Sequence, residues 1–174
     1  MLPSRVYAEI NLDAMCSNVS QALERMKPAK LMAIIKTDAY GHGAVRSAKA
    51  LDEIGVYAFG VATPGEALEL RRAEIKNPIL ILGYVFEEYF DRMIENDIDL
   101  ALFDLNTAKL LNSHAEKLGK KARVHIKADT GMGRIGFQPC DESAEIIKEI
   151  AALNNIEIAV SYTHLRAHET EADL

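Results

Sequence analysis

The chain has 174 residues, of which 49% are hydrophobic and 26% are charged, so a largely disordered protein is excluded. Its formal net charge of −6 argues against a nucleic-acid partner, because such partners select a basic surface. No apolar run approaches the ~20 residues of a membrane helix, and no secretory leader opens the chain, so we expect no membrane association. The two cysteines, Cys16 and Cys140, lack the spacing of metal ligands, which favours a reduced cytoplasmic setting without a metal site.

Short apolar segments alternate with helical patterns along the chain. Residues 7–12 predict a first strand, and Asp13 is a suitable N-cap for a helix that ends near Met26. Thr63 and Glu66 have the spacing of a capping box at the start of a later helix. The six remaining predicted strands are residues 30–36, 57–62, 79–82, 98–103, 122–127 and 156–161. The five remaining predicted helices are residues 44–54, a helix that begins at 63–64, residues 87–95, residues 104 to about 118, and a helix from Asp141 or Ser143 to about residue 153.

Strands that alternate with helices through short turns predict parallel βαβ units, and no Pro- or Ser-rich linker divides them, so we expect one domain. Six strands can complete an open, doubly wound α/β sheet. They can also form about six of the eight strands of a (β/α)8 TIM-type barrel, which usually takes ~250 residues. The pattern alone leaves both alternatives open.

The end of the strand at 30–36 carries a candidate site. A buried parallel strand would place Lys36 at the carboxyl edge of the sheet, where α/β folds keep their chemistry. Most strand-end lysines pack their stem on the sheet and extend the ammonium group into water. A desolvated lysine would instead be a neutral nucleophile that forms a Schiff base with an aldehyde such as pyridoxal phosphate. The Tyr40 hydroxyl, Gly41, Gly43 and the following helix N-terminus would suit an anionic ligand.

The run from Ile35 to Ala44, IKTDAYGHGA, resembles the pyridoxal phosphate attachment motif of bacterial alanine racemases, with Thr37 where that family more often has alanine. The resemblance covers nearly the whole chain, although alanine racemases are much longer. It implies the barrel rather than the doubly wound sheet. It also implies that residues 1–174 are the N-terminal part of the cofactor-binding barrel domain, without the remaining strands and the C-terminal β domain.

A second loop, at 127–137, is rich in glycine and also follows a strand end, so it would open at the same edge as Lys36. The simplest interpretation of the loop alone is a surface Arg134 that pairs with Asp129. In the resemblance, the residue matching Arg134 contacts the ring oxygen of the cofactor and the substrate carboxylate, and the residue matching Lys127 is carbamylated in some members. Lys127 could equally pair with Asp129, so its modification stays open.

Near the end of the chain, the resemblance places a histidine beside the cofactor ring at the position of His164. The family pattern is lost after it, and residues 161–170 resemble a translated adapter sequence. Two expectations therefore stand for residues 161–174: a native segment with a cofactor-binding His164, or a non-native tail. We expect His42 to support its loop, and His114 and His125 to be structural.

The resemblance implies interconversion of L- and D-alanine with pyridoxal 5'-phosphate, to supply peptidoglycan, by a cytoplasmic homodimer. Lys36 would be the catalytic base on one face of the substrate. The cofactor-binding residues would be Lys36, Tyr40, Arg134 and His164, and Arg134 would also bind the substrate. The opposite base lies outside these residues, so the fragment is expected to be inactive alone. The alternatives are a single-domain pyridoxal phosphate carrier, a serine or broad-specificity amino-acid racemase, and a folded fragment without activity.

Overall fold

The computed structural model describes residues 6–163, and side chains as far as residue 160. Six parallel strands form one sheet in which every strand pairs with its neighbour in chain order. A doubly wound sheet reverses its strand order at a switch point, whereas a barrel keeps the order consecutive. The observed order therefore decides between the two alternatives, in favour of six strands of a barrel that is not closed by the described residues.

The elements follow one another with short connections. They are α1 (Leu12–Arg25), β1 (Met32–Ile34), α2 (Lys36–Gly41), α3 (Ala44–Glu53), β2 (Ala58–Val61), α4 (Pro64–Arg72), β3 (Ile79–Ile81), a 3₁₀ turn (Glu87–Tyr89), α5 (Phe90–Glu95), β4 (Ile98–Leu102), α6 (Leu105–Lys117), β5 (Ala122–Ala128), α7 (Asp141–Ala151) and β6 (Ile156–Thr163). All six strands and all helices predicted from residue 30 onward are confirmed in place, with shifts at their ends.

The prediction for the start of the chain was wrong in part. Residues 7–11 form no strand, and the first helix already begins at Leu12. Asn11, not Asp13, is the N-cap, because its Oδ1 accepts the backbone N–H of Ala14 at 2.9 Å. Asp13 lies in the first turn, where a negative charge favours the helix dipole.

The core lies between the sheet and the helices on its outer face. All the residues of β2, β3 and β4 are buried, as expected for parallel strands covered on both sides. The largest fully buried side chains of this layer are Phe59, Ile79, Ile81, Leu70, Phe90, Met93, Leu102 and Leu111. Within residues 6–163, no helix has the length and apolar character needed to cross a bilayer.

Arg71 fastens the amino-terminal edge of the sheet, opposite the candidate site. It lies in the last turn of α4, and its guanidinium donates hydrogen bonds to four backbone carbonyl groups. The acceptors are Ile75 and Asn77, before β3, and Asn96 and Asp97, before β4, at 2.8 to 2.9 Å. One side chain thus holds two neighbouring loops against one helix end.

Candidate functional site

The candidate site begins at Lys36, two residues beyond the end of β1 and at the carboxyl edge of the sheet. Its half-buried side chain lines a cavity of about 700 Å³ in the barrel interior, and Tyr40 lines the same cavity. Most of the remaining lining is apolar: Met32, Ile34, Leu80, Leu82 and Val160. Ile34 and Val160 keep 38% and 46% of their surface exposed, because they lie on the two strands that lack a second neighbour among the described residues.

The segment labelled α2, Lys36–Gly41, is not a right-handed helix: the turn that follows Lys36 is left-handed. Thr37, Asp38, Ala39 and Tyr40 have φ from 52° to 56° and ψ from 35° to 51°, which are left-handed helical values. Residues with a Cβ resist this conformation by about 1–2 kcal/mol each. The sequence pattern predicted a tight turn from its glycines, but it gave no sign that four consecutive L-residues would carry the strain.

Contacts inside the turn account for part of its geometry. The N–H of Ala39 donates to the carbonyl of Ile35 at 2.9 Å, and the N–H of Gly43 donates to the carbonyl of Asp38 at 2.9 Å. The Asp38 carboxylate accepts the N–H of Ala44 at 2.6 Å and so caps the next helix, α3. This carboxylate therefore takes one of the amide groups that the sequence pattern offered to an anionic ligand.

Glu66 connects this turn to the next strand end. One carboxylate oxygen accepts the N–H of Thr37 at 2.7 Å, and the other accepts the N–H groups of Ala62 and Thr63 at 2.7 and 3.1 Å. The capping box predicted for α4 is confirmed, because the Thr63 hydroxyl accepts the N–H of Glu66 at 3.3 Å. The bond to Thr37 was missed, since it joins residues 29 positions apart and leaves no trace in the local pattern.

The second loop is shaped by Asp129. Its Oδ1 accepts the N–H groups of Gly131 and Gly133 at 3.0 Å each, and its Oδ2 accepts the N–H of Arg134 at 3.1 Å. These backbone bonds, first those of Gly131 and Gly133, lower the pKa of the Asp129 carboxyl group. The alternative in which Asp129 pairs with the Arg134 side chain is not observed, because backbone amides bind the carboxylate. The Arg134 side chain is exposed and forms no ion pair with any described residue.

The loop closes back onto the end of β5. The N–H of Phe137 donates to the carbonyl of Lys127, and the N–H of Asp129 donates to the carbonyl of Phe137, both at 2.8 Å. Gly136 has φ 145°, and a Cβ at this position would lie 2.5 Å from the backbone nitrogen of Asp129. The tight approach therefore requires glycine at residue 136.

Lys127 lies beneath this loop and is only 3% exposed. Burial lowers the pKa of its ammonium group, and the neighbouring positive charges of Arg134 and Lys36 lower it further, against the opposing effect of Asp129. A larger fraction of this amine is therefore neutral than in water. The structure thus brings the three predicted basic residues, Lys36, Lys127 and Arg134, to one edge of the sheet.

The two histidines discussed with the site are His164 and His42. His164 lies outside the described residues. His42 lies beside the left-handed turn, where its Nδ1 is 2.9 Å from the carbonyl oxygen of Ala39. A donor at Nδ1 would support the turn, which agrees with the expected role of His42.

A buried polar group in the barrel interior was not recognised from the sequence as part of the cavity. His125 lines the cavity, and its Nε2 lies 3.1 Å from Oδ2 of Asp99. The Arg123 guanidinium forms an ion pair with the same Oδ2 at 3.4 Å. These residues point inward because side chains alternate along β4 and β5. In the described part of the chain, no group of three or more His, Cys, Asp and Glu side chains could hold a metal ion.

These features define a parallel α/β barrel with a lysine and a glycine-rich arginine loop at its carboxyl edge. The family model described as "Alanine racemase, N-terminal domain" matches residues 10–173. The chain belongs to the alanine racemase family, which confirms the resemblance and the barrel fold.

Individual relatives agree with this family assignment. An alanine racemase of Methanococcus maripaludis is 46% identical over 165 residues, which are 94% of this chain and 44% of that protein. The solved alanine racemase of Clostridium difficile 630 superposes with a TM-score of 0.89 at 42% identity, over 95% of this chain and 44% of that one. A histidine racemase of Leuconostoc mesenteroides superposes with a TM-score of 0.84 at 26% identity, over 92% of this chain and 44% of that one. The chain therefore spans less than half the length of these relatives.

Proposed function

We propose that this chain is the cofactor-holding part of a racemase that interconverts L- and D-alanine with pyridoxal 5'-phosphate. The observation that carries the proposal is the position of Lys36, half-buried at the carboxyl edge beside a cavity and next to the loop of Arg134. Membership of the alanine racemase family supports it, and so do the names of its relatives, which are alanine racemases.

The residues at this edge suit pyridoxal 5'-phosphate, which presents an aldehyde, a ring oxygen and a phosphate. The Lys36 amine would hold the aldehyde covalently, and the Arg134 guanidinium would face the ring oxygen. The Tyr40 hydroxyl, on a side chain that is 60% exposed at the cavity mouth, would bind an anionic part of the cofactor. His164, which lies outside the described residues, would join this set only as the family resemblance implies. When bound, the cofactor withdraws electrons from Cα of the amino acid and so makes its proton more acidic.

The chain's own residues would then handle charge and the proton. Lys36, once the amino group of the substrate has displaced it from the aldehyde, would remove the Cα proton from one face of the substrate in one direction of the reaction and deliver a proton to that same face in the other, as a general base and acid. The planar donors of Arg134 would bind the substrate carboxylate. The apolar lining, Met32, Ile34, Leu80 and Leu82, would keep water from the reacting carbon. The family resemblance implies that the base for the opposite face comes from the rest of the complete protein, so we expect residues 1–174 alone to be inactive.

We also propose that Lys127 is carbamylated. A neutral amine attacks carbon dioxide, forms an N–C bond and loses one proton, which leaves a carbamate anion. Burial and the lowered pKa of Lys127 favour the neutral amine, and the anion would pair with Arg134. Pairing of an unmodified Lys127 with Asp129 is the alternative, although three backbone amides already bind that carboxylate. Mass spectrometry of the folded protein with and without added bicarbonate distinguishes the two.

The experiment for the main proposal is a racemisation assay on the complete protein that carries this chain. We expect it to convert L-alanine to D-alanine when pyridoxal 5'-phosphate is present, and we expect Lys36→Ala to abolish this activity. Lys30→Ala is the matched control, because Lys30 lines the same cavity but lies before β1, at the amino end. Cofactor binding without racemisation of any amino acid would instead indicate the single-domain carrier.

A second substrate class has one observation in its favour. The histidine racemase of Leuconostoc mesenteroides has the same fold over this region, so the fold itself does not restrict the substrate to alanine. Assays with serine and histidine beside alanine would show whether the protein is a broad-specificity racemase. We further propose, from family membership, a cytoplasmic homodimer that supplies D-alanine for peptidoglycan. Gel filtration with light scattering tests the dimer.

A further inference from the structure

We propose that Glu66 is a positioning residue that holds the left-handed turn after Lys36 and thereby orients the Lys36 amine. The proposal rests on the function proposed for Lys36, and it adds a residue from a different strand–helix unit. Glu66 itself does not line the cavity, so it would act only through the backbone of the turn.

The geometry of the Glu66 carboxylate is that of a bridge between two neighbouring strand ends. Oε1 binds the N–H of Thr37, the first residue after Lys36, while Oε2 binds the N–H groups of Ala62 and Thr63, just after β2. The β1 side is also tied to β2 by the N–H of Ile35, which donates to the carbonyl of Gly60 at 2.9 Å. Lys36 therefore lies between two backbone attachments to the same neighbouring strand.

The turn needs an attachment of this kind because its conformation is intrinsically unfavourable. Thr37 is the first of the four left-handed residues, and a β-branched residue is among the least suited to positive φ. Thr37 is exposed, and the Glu66 carboxylate is the acceptor that its N–H meets. If this bond is lost, Thr37 can return to a right-handed or extended conformation. That change rotates the backbone next to Lys36 and redirects its side chain.

Glu66→Gln separates this role from helix capping. Glutamine also serves in capping boxes, so one amide oxygen can still accept the N–H groups of Ala62 and Thr63. The amide nitrogen then faces the N–H of Thr37, which leaves two donors opposed and no bond. The variant therefore removes the attachment of the turn and keeps the start of α4.

Two control variants test the opposite combinations. Thr63→Ala removes the hydroxyl that accepts the N–H of Glu66, so it weakens the cap of α4 while the carboxylate can still reach Thr37. Glu69→Gln removes the same charge from an exposed position of the same helix, with no bond to the turn. We expect neither control to alter the turn, although Thr63→Ala should lower the melting temperature.

The first measurement is amide hydrogen exchange in the complete protein without cofactor. In the wild type we expect the Thr37 N–H to be protected despite its exposed position. In Glu66→Gln we expect the exchange of the Thr37 N–H to accelerate at least about tenfold, because a hydrogen bond to a charged acceptor has been lost. Rapid exchange of Thr37 in the wild type overturns the proposal, and this result needs no variant that folds.

The second measurement is steady-state kinetics with alanine. We expect Glu66→Gln to lower kcat by roughly 10- to 100-fold, the scale of a small misplacement of a catalytic group, with a smaller change in KM. Unchanged kcat, or an equal loss of kcat in Thr63→Ala, overturns the positioning role. If the proposed function is wrong, the wild-type protein will not racemise alanine. Hydrogen exchange at Thr37 would still test the attachment by Glu66 in that case.

Discussion

Replacement of Gly136 by alanine should disturb the arginine loop more than any other single methyl group added there. The new Cβ would lie 2.5 Å from the nitrogen of Asp129 and 2.8 Å from the carbonyl carbon of Ala128. Both atoms belong to the backbone, so no flexible side chain can move aside. In addition, φ of 145° at Gly136 lies in a region that L-residues rarely adopt.

The cost can be worked out from these two effects. Unfavourable φ costs about 1–3 kcal/mol, and steric overlap in a well-packed place costs about 1–3 kcal/mol. We therefore expect Gly136→Ala to lower the free energy of unfolding by about 2–6 kcal/mol. Gly133→Ala is the matched control, because Gly133 has φ 65° but no atom within 4 Å of its added Cβ. Its expected loss is only about 1–2 kcal/mol.

The assay combines urea unfolding with kinetics on the complete protein. Because the loop carries Arg134, displacement by Gly136→Ala should raise KM for alanine as well as lower stability. Gly133→Ala should change both quantities less. Equal effects of the two variants would contradict the steric reasoning, since they differ in the backbone contact and share the positive φ.

Two further predictions concern stability. Arg71→Lys should lower the free energy of unfolding, measured in urea, by about 2–4 kcal/mol, because an ammonium group cannot reach all four carbonyl acceptors. The control is Arg72→Lys, at an exposed neighbouring position. Hydrogen bonds from His114 to Asp91, and less to Glu87, raise the pKa of His114 above 6.5. Their contribution is full below about pH 6.5 and is lost as pH rises through the raised pKa, so His114→Gln should flatten the pH dependence of the melting temperature in that window. A pH profile unchanged by His114→Gln would contradict this cause.

Much of the fold was predictable because local chemistry and tertiary structure agree. Apolar runs became buried strands, and the capping box of Thr63 and Glu66 formed as predicted. The order of the strands was not predictable from the pattern, because alternating strands and helices fit either a barrel or a doubly wound sheet. Residues 7–11 alternate like a strand, but no described strand pairs with them, and Asn11 caps a helix instead.

The sequence predicted that Lys36 and the arginine loop would lie at one edge of the sheet, but it did not predict the backbone of the site; the roles of these residues stay predictions. Lys36 and Arg134 were identified from their strand-end positions and the resemblance. The left-handed turn was not, because Thr37 and its neighbours favour other conformations and are held by Glu66 from another unit. The backbone bonds of Asp129 were also not predicted, since the loop sequence offers the carboxylate both a nearby arginine side chain and several backbone amides. Because glycines follow Asp129, the backbone amides can approach its carboxylate, and they bind it in place of the arginine side chain.

Covalent trapping tests the role of Lys36 most directly. The complete protein is incubated with pyridoxal 5'-phosphate, treated with borohydride and digested, and the labelled peptide is sequenced. We expect the label on the peptide that contains Lys36 in the wild type and in Lys30→Ala, and no label in Lys36→Ala. A label on another lysine, or none in a folded wild-type protein, would contradict the role assigned to Lys36.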